Sequence, residues 1–407
     1  MTASNLVILG GGEDQIPAYT EGRRLGYHVV GVDRLGDALG AELSDEFFQV
    51  TTTDPERIAA LLGERDVAAV ISPASDVAQA SAAELNRRYG CPHVLSEAAV
   101  RASEDKGYFR EVLAKLGFPQ PEYTQSRDLE ELEEKASQMR LPLVVKPSDS
   151  FGGKGVGLCR RLDEFGEAAI EAARHSCSGW VVVEEFLQGR HCSVEQFAGK
   201  GKAALTVVTE RGLTGPQHMT SASHTLPAEL APDVLTRLES MCATVRDELD
   251  HTDGPVNIDF VLTDDGEICF VELGARLGGN GMPMLVRHAY GVNTVEAAIR
   301  LAVGEPVDLE SHWDPRHVTL RILQADRAGT LHSVRGLDEA LSVPGVVDIQ
   351  VFKRPGDLVA PYTQAAHKLG YLLAAADSSA ELETAVDIAM KSLDFVISDD
   401  DSLEVAA

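Results

Sequence analysis

Over residues 5–95, short apolar runs alternate with amphipathic stretches. Residues 6–9 form one run and end in Gly10-Gly11-Gly12; a helical stretch follows to about Leu25. A second run, 27–32, ends at Asp33, and a third covers 67–72. Strands alternating with helices predict a parallel α/β unit. Residues 96–140 read as helical: Ser103-Glu-Asp-Lys106 opens an amphipathic stretch through Leu116, and Gly117-Phe-Pro119 stops it. A further helix is expected over 129–139, where the charged run 128–135 is a solvated face. Strands are expected over 143–146, 180–186, 193–197 and 203–209, a long helix over 229–249, a hairpin over 256–273 and a helix over 293–303. Gly304-Glu-Pro306 ends that helix, and the pattern then changes. Runs at 317–325, 329–334, 346–351 and 371–376 read as strands, and 381–394 as a helix before an acidic, frayed tail. The pattern predicts four units, 1–95, 96–185, 186–305 and 306–407, the last an α+β appendage. No internal repeat is visible.

The hairpin is the most informative segment. Asp259-Phe-Val-Leu-Thr-Asp-Asp-Gly-Glu-Ile-Cys-Phe-Val-Glu272 reads as two strands joined at Asp265-Gly266, a strong turn signal. A two-residue loop there sets Asp264 against Glu267, Thr263 against Ile268 and Asp259 against Glu272. Opposed residues share a face with Cβ atoms roughly 5 Å apart. Two carboxylates so placed repel unless a cation lies between them, and a hard divalent ion suits them. Alone, the hairpin reads first as a solvent-facing pair of ordinary acids, and only the rest of the chain changes that. Arg276 follows in Glu-Leu-Gly-Ala-Arg.

Composition narrows the classes. The chain has 407 residues and a net charge of -28, which disfavours nucleic-acid and anionic-membrane partners. A local basic pocket for a polyanionic small ligand remains compatible with it. No apolar run approaches the ~18 residues of a membrane span. The six cysteines are scattered without a C-x-x-C pair, and the N-terminus lacks a signal-like stretch. Both point to reduced thiols and a cytoplasmic location. Gly10–Gly12 followed by Asp33 imitates a dinucleotide fingerprint, but Gln15 stands where the third glycine belongs. The favoured reading is a tight strand-to-helix turn.

Two further segments have the chemistry of a nucleotide site. Lys146 ends an apolar strand before Pro-Ser-Asp-Ser-Phe-Gly-Gly-Lys-Gly-Val-Gly157. Amides of such a loop approach phosphate oxygens, although an ordinary β-turn reads the same way. Glu184-Glu185-Phe186-Leu187 ends another apolar strand, where extended backbone matches an adenine edge.

In their order and spacing, Lys106, Lys146 with its loop, 184–187, His191, Asp259, Glu272 and Arg276 resemble the ATP-grasp superfamily. The resemblance implies an ATP-grasp fold with an N-terminal Rossmann-like domain. It implies ATP phosphates on Lys106 and Lys146 under a loop 148–156, including Ser148, Gly152, Gly153, Lys154 and Gly155. Glu184, Glu185, Phe186 and Leu187 are then the adenine segment, with the Glu184 side chain towards the amino group and the backbone of Glu185 and Leu187 along the edge. His191 is the ribose contact, and Asp259 and Glu272 hold Mg2+, with Mn2+ as an alternative. Arg276 stands at the reacting carboxyl. One departure is Gly274, where many members carry an Asn as third metal ligand. Glu-Leu-Gly-Ala-Arg and the segments Ala328-Gly-Thr-Leu-His, Lys353-Arg-Pro-Gly-Asp357 and Leu369-Gly-Tyr-Leu-Leu-Ala resemble L-amino-acid (dipeptide) ligases of the bacilysin-synthetase type.

That resemblance implies ATP-dependent amide formation between a small carboxylate and an amine through an acyl phosphate, releasing ADP. Arg211, His218, His224 and Asn280 are the expected substrate contacts, with His224-Thr-Leu-Pro227 similar to the His-x-x-Pro of related ligases. A homodimer is compatible with the resemblance. Carboxylase-type or purine-pathway chemistry, or a non-catalytic nucleotide-binding module, are the other readings.

Overall fold

The computed structural model describes residues 3–199, 202–215, 219–310 and 315–398. Among these residues there are four sheets. The first is parallel, with strands in the order Glu46–Gln49, His28–Asp33, Asn5–Leu9 and Val67–Ile71. Leu6 to Leu9 are fully buried, which explains a continuous apolar run rather than an alternating one. The glycine turn is closed on itself: the Asp33 carboxylate accepts from Gly11 N–H and Leu35 N–H, both at 2.9 Å. The acid that a dinucleotide ribose would need is therefore engaged by its own loop.

The second sheet is antiparallel, in the order Tyr123–Ser126, Val181–Glu185, Leu143–Pro147 and Gly157–Cys159. Its first strand lies inside the stretch read as helical. Its mixed polar side chains carry no apolar alternation, and pairing with the buried 181–185 strand forms it. Helices Leu129–Ala136 and Phe165–His175 contribute the apolar layer on this sheet.

The third sheet has eight strands: Ile268–Gly274, Gly254–Thr263, Gly189–Gly199, Lys202–Leu213, Ser221–Leu226, His317–Leu323, Gly370–Ala376 and Val346–Val351. It runs through position 306 without interruption, because Thr225 pairs with Thr319 and Leu226 with Val318. One apolar core joins Leu6 and Tyr19, Leu285 and Val286, and Leu320 and Leu373. The segment after Pro306 thus completes the central sheet as well as adding its own three-stranded sheet, Leu358–Val359, Gly329–Arg335 and Asp394–Ser398.

The hairpin differs from its expected register in an instructive way. Leu262 faces Ile268 and Phe260 faces Phe270, one residue off the two-residue-loop register. The loop is Asp264-Asp265-Gly266, closed by Thr263 N–H on the Glu267 carbonyl at 2.9 Å, with Gly266 at φ +86°. A left-handed glycine after a tight turn is the three-residue alternative. A bulge between Asp259 and Phe260 then restores the register, so Asp259 does face Glu272.

Candidate active site

A cleft of about 460 Å³ opens between the two antiparallel sheets and the N-terminal unit. Most of the expected residues line it: Lys106, Lys146, Gly152, Gly153, Lys154, 184–187, His191, Arg211, His224, Asp259, Glu272, Arg276 and Asn280. Ser148 and Gly155 do not. His218 lies outside the described residues.

Lys106 begins the helix Lys106–Lys115. Asp105 caps that helix by accepting from the N–H groups of Gly107 and Tyr108 at 2.9 and 3.2 Å. Ser148 donates its hydroxyl to the same carboxylate at 2.7 Å, and Lys106 N–H donates to the Ser148 carbonyl at 3.0 Å. Ser148 therefore ties the glycine loop to the helix start and is itself buried. Gly155 has His175 Cβ and Pro147 Cγ within about 3 Å of where a Cβ would stand, so it serves packing. Gly152 and Gly153 have φ of +67° and +82°, a backbone only glycine adopts freely. Lys106 Nζ donates to the Ser150 carbonyl at 2.5 Å and lies 3.9 Å from Glu272.

Glu184 is not free to meet an adenine amino group with its side chain. Its carboxylate is buried and takes Arg110 Nε and Lys146 Nζ, each at 2.7 Å. Burial alone would raise its pKa; the two cations outweigh burial and hold it at about 2. Arg110, which the sequence reading passed over, is fully buried and also donates to the Phe270 carbonyl at 2.5 Å. A lone Arg in an amphipathic helix reads as surface; only its burial inside the assembled sheets reveals the role. Glu185 N–H donates to the Glu122 carbonyl at 3.0 Å, so it is not the donor at the adenine edge. His191 packs beside Phe186, and burial first, then Arg211, lower its pKa to about 4, leaving a neutral ring.

At the acid pair, Asp259 is buried and bonded to the Ser193 hydroxyl and the Arg211 guanidinium. Arg211 also donates to Ser221 Oγ at 2.9 and 2.7 Å. Burial pushes the Asp259 carboxyl up, against Arg211. Glu272 is 46 % exposed towards the cleft. Although burial opposes ionisation, Lys106 and then Arg211 and Lys146 hold Glu272 below its usual range. Among the described residues no group of three or more His, Cys, Asp or Glu is arranged to hold a metal. Two carboxylates sharing a face do suit a magnesium ion that takes its other ligands from nucleotide phosphates and water.

Arg276 pairs with Asp76 of the N-terminal unit, and its other nitrogen donates to the Leu277 carbonyl at 3.2 Å. Asp76 Oδ1 and Arg276 Nε are buried without a hydrogen-bond partner among the described residues. A Cβ on Gly274 would stand 2.7 Å from both Asp76 Oδ1 and Arg276 Cζ. The glycine that replaces the usual Asn is thus the space through which this ion pair passes. Asp76 gave no sequence signal, because its partner lies 200 residues away. His224 is buried, its Nε2 has no hydrogen-bond partner among the described residues, and burial followed by Arg211 lowers its pKa to about 3. Asn280, at φ +51°, accepts from Lys368 Nζ at 3.1 Å.

Comparisons with known proteins bear on the family and the fold. Residues 105–310 match the family model of the carbamoyl-phosphate synthase L chain ATP-binding domain, and 321–398 match L-amino acid ligase C-terminal domain 2. An uncharacterised protein, y4rH, of Sinorhizobium fredii is 31% identical over 92% of this chain and 79% of its own. A formate-dependent phosphoribosylglycinamide formyltransferase of Bacillus subtilis is 26% identical over 97% and 99%. The crystal structure of an L-amino acid ligase from Bacillus licheniformis superposes with a TM-score of 0.83 at 20% identity, covering 98% of this chain and all of that one. The chain belongs to the ATP-grasp superfamily of carboxylate–amine ligases, ATP-dependent enzymes that form C–N bonds.

Proposed function

We propose that this enzyme joins an amino acid or similar small carboxylate to an amine, through an acyl phosphate, with release of ADP and phosphate. The observation that carries this reading is the convergence of Lys106, Lys146, Asp259, Glu272 and Arg276 on one cleft in a chain whose 321–398 segment matches the L-amino acid ligase model. Lys106, Lys146 and the amides of Gly152 and Gly153 bind the triphosphate. Asp259 and Glu272 would hold Mg2+, which when bound would supply neutralisation of charge on the phosphate oxygens. The substrate carboxylate attacks the γ-phosphorus and ADP departs. The amine then attacks the acyl carbon; Arg276 stabilises the oxyanion and phosphate leaves. Closure of the 150–156 loop keeps water from the acyl phosphate.

The test is ADP and phosphate release with Mg-ATP across amino acids, singly and in pairs, with mass spectrometry of the products. A product mass equal to the two amino acids minus water is expected. AMP and pyrophosphate in place of ADP would overturn the acyl-phosphate route. The similarity to the formyltransferase favours a second reading, with a simple acid such as formate or bicarbonate activated alone. Acid-dependent ADP release supported by either of these would select it.

A further inference from the structure

Residues 362–368 lead from Leu358–Val359 to the third-sheet strand Gly370–Ala376 and are fastened at both ends. At one end the buried Tyr362 donates its hydroxyl to the Ser221 carbonyl at 3.0 Å. At the other the buried Lys368 Nζ meets Glu13 at 3.2 Å and Asp14 at 3.1 Å. Between them lies a tight turn, Ala365–His367, in which His367 N–H donates to the Gln364 carbonyl at 3.0 Å. His367 Nδ1 is 3.2 Å from Thr363 Oγ1, and its Nε2 is 2.8 Å from Gln364 Nε2. Anchored at its ends and braced in its middle, the segment is a stiff support.

It touches the part of the cleft wall richest in glycine. In the loop after Lys146, Gly152, Gly153 and Gly155 have φ of +67°, +82° and +69°. Three glycines within four residues leave many backbone conformations open, so fixing one of them costs entropy that contacts must offset. The segment 362–368 supplies two such contacts. Ala365 N–H donates to the Gly152 carbonyl at 3.0 Å. Thr220 Oγ1, which donates to the Thr363 carbonyl at 2.9 Å, stands 3.0 Å from where a Cβ on Gly153 would lie. A Cβ on Gly152 would lie 3.1 Å from Ala365 Cβ, so loop and segment are packed together as well as bonded. Gly152, Gly153, Lys154, Ala365 and Ala366 face the same cleft.

We propose that residues 362–367 are a strap that holds the glycine loop in the conformation that grips nucleotide phosphates, with the Ala365 backbone N–H as its positioning group. The segment after Pro306, besides completing the central sheet, is then part of the nucleotide site. The inference rests on the reading above that this loop binds the triphosphate.

A proline at 365 removes the donor and suits the backbone. Gln364, at φ -150° and ψ 160°, already has the extended conformation that precedes proline, and position 365 opens a helical turn. Calorimetry on the full chain measures binding of Mg-AMP-PNP and of AMP. The proteins compared are wild type, Ala365→Pro, Ala365→Ser, which keeps the N–H, and Thr220→Val, which removes the second contact without adding bulk. Ala365→Pro and Thr220→Val are each expected to weaken AMP-PNP about two- to tenfold, the weight of one hydrogen bond, and to leave AMP unchanged. Both should also speed hydrogen exchange of residues 150–156 in the nucleotide-free protein, and Ala365→Ser should match wild type throughout. Unchanged AMP-PNP affinity in either variant overturns the proposal, as does an equal loss for AMP and AMP-PNP or a loop that exchanges at the wild-type rate. Gly153→Ala, run alongside, tests the phosphate-binding reading itself. If it weakens AMP-PNP while Ala365→Pro and Thr220→Val do not, this inference falls and the loop reading stands. If wild type holds AMP-PNP no better than AMP, both fall.

Discussion

At the residue scale, buried ion pairs are more than ornaments of the site. Glu184 holds Arg110 and Lys146 with all three side chains buried, and removing one member of such a set costs about 3–5 kcal/mol because the others stay buried and uncompensated. Glu184→Gln should therefore lower the melting temperature strongly, and nucleotide binding should weaken with it as Lys146 loses its anchor. The sign of the pH effect follows from its depressed pKa: its contribution is present above about 4.5 and is lost as the pH falls towards 2. Acid-denaturation curves of the variant should be flatter over that interval; an unchanged curve would remove Glu184 as the cause. In the proposed mechanism Arg276 acts in the chemistry rather than in nucleotide binding. Arg276→Ala should depress turnover by two to three orders of magnitude, the usual range for a lost oxyanion donor of about 3–4 kcal/mol, while leaving the Michaelis constant for ATP nearly unchanged. A change confined to that constant would place the guanidinium elsewhere in the reaction. Gly274→Asn, which restores the side chain common in the superfamily, should lower activity at least tenfold instead of improving metal use, because its Cβ collides with Asp76 and Arg276. Titration of activity with Mg2+ and Mn2+ distinguishes that collision from a gained ligand.

At the scale of elements, what a sequence reveals depends on how local the cause is. The helix beginning at Lys106 and the apolar strands 143–147 and 181–185 have causes within a few residues, and all were legible. The hairpin was legible in its acid pair but not in its path, since two local irregularities, a three-residue loop and a bulge, cancel. Tyr123–Ser126 was missed because its pairing partner, not its own pattern, makes it a strand. The glycine loop after Lys146 shows the same division. Its glycines were visible, yet which of them face the cleft is decided by His175 and Thr220, far along the chain. Gly153→Ala should accordingly raise the Michaelis constant for ATP, since a Cβ at φ +82° is strained and would stand 3.0 Å from Thr220 Oγ1. Thermal stability should change by no more than about 1 kcal/mol, a loop-level cost. Equal ATP affinity in the two proteins would show that the loop conformation is not the one that meets phosphate.

At the scale of the whole molecule, the change of pattern after Pro306 marks a difference in local elements and not a break in the fold. The last three strands of the eight-stranded sheet come from beyond that proline, and Val318, Leu320 and Leu373 lie in the same core as Leu6 and Leu285. No local signal could reveal this, because the joining pair, 221–226 with 317–323, brings together strands almost a hundred residues apart. Lys368 repeats the point at the site, where a C-terminal cation meets Glu13 and Asp14 from the other end of the chain. A chain cut after residue 305 would expose one long edge of the sheet along 221–226 and open the core beside it, a combination that invites edge-to-edge pairing. Such a truncation should be insoluble or associate, whereas a separable appendage would leave a monomeric protein that still binds ATP. Calorimetry of the intact chain provides the complementary measurement. Shared packing between the N-terminal unit, the central sheet and the C-terminal strands should merge their unfolding into one main transition, and Leu320→Ala, at about 2–5 kcal/mol for a buried leucine, should shift that transition as a whole. A separate low-temperature peak that alone responds to Leu320→Ala would mean that the C-terminal strands unfold by themselves.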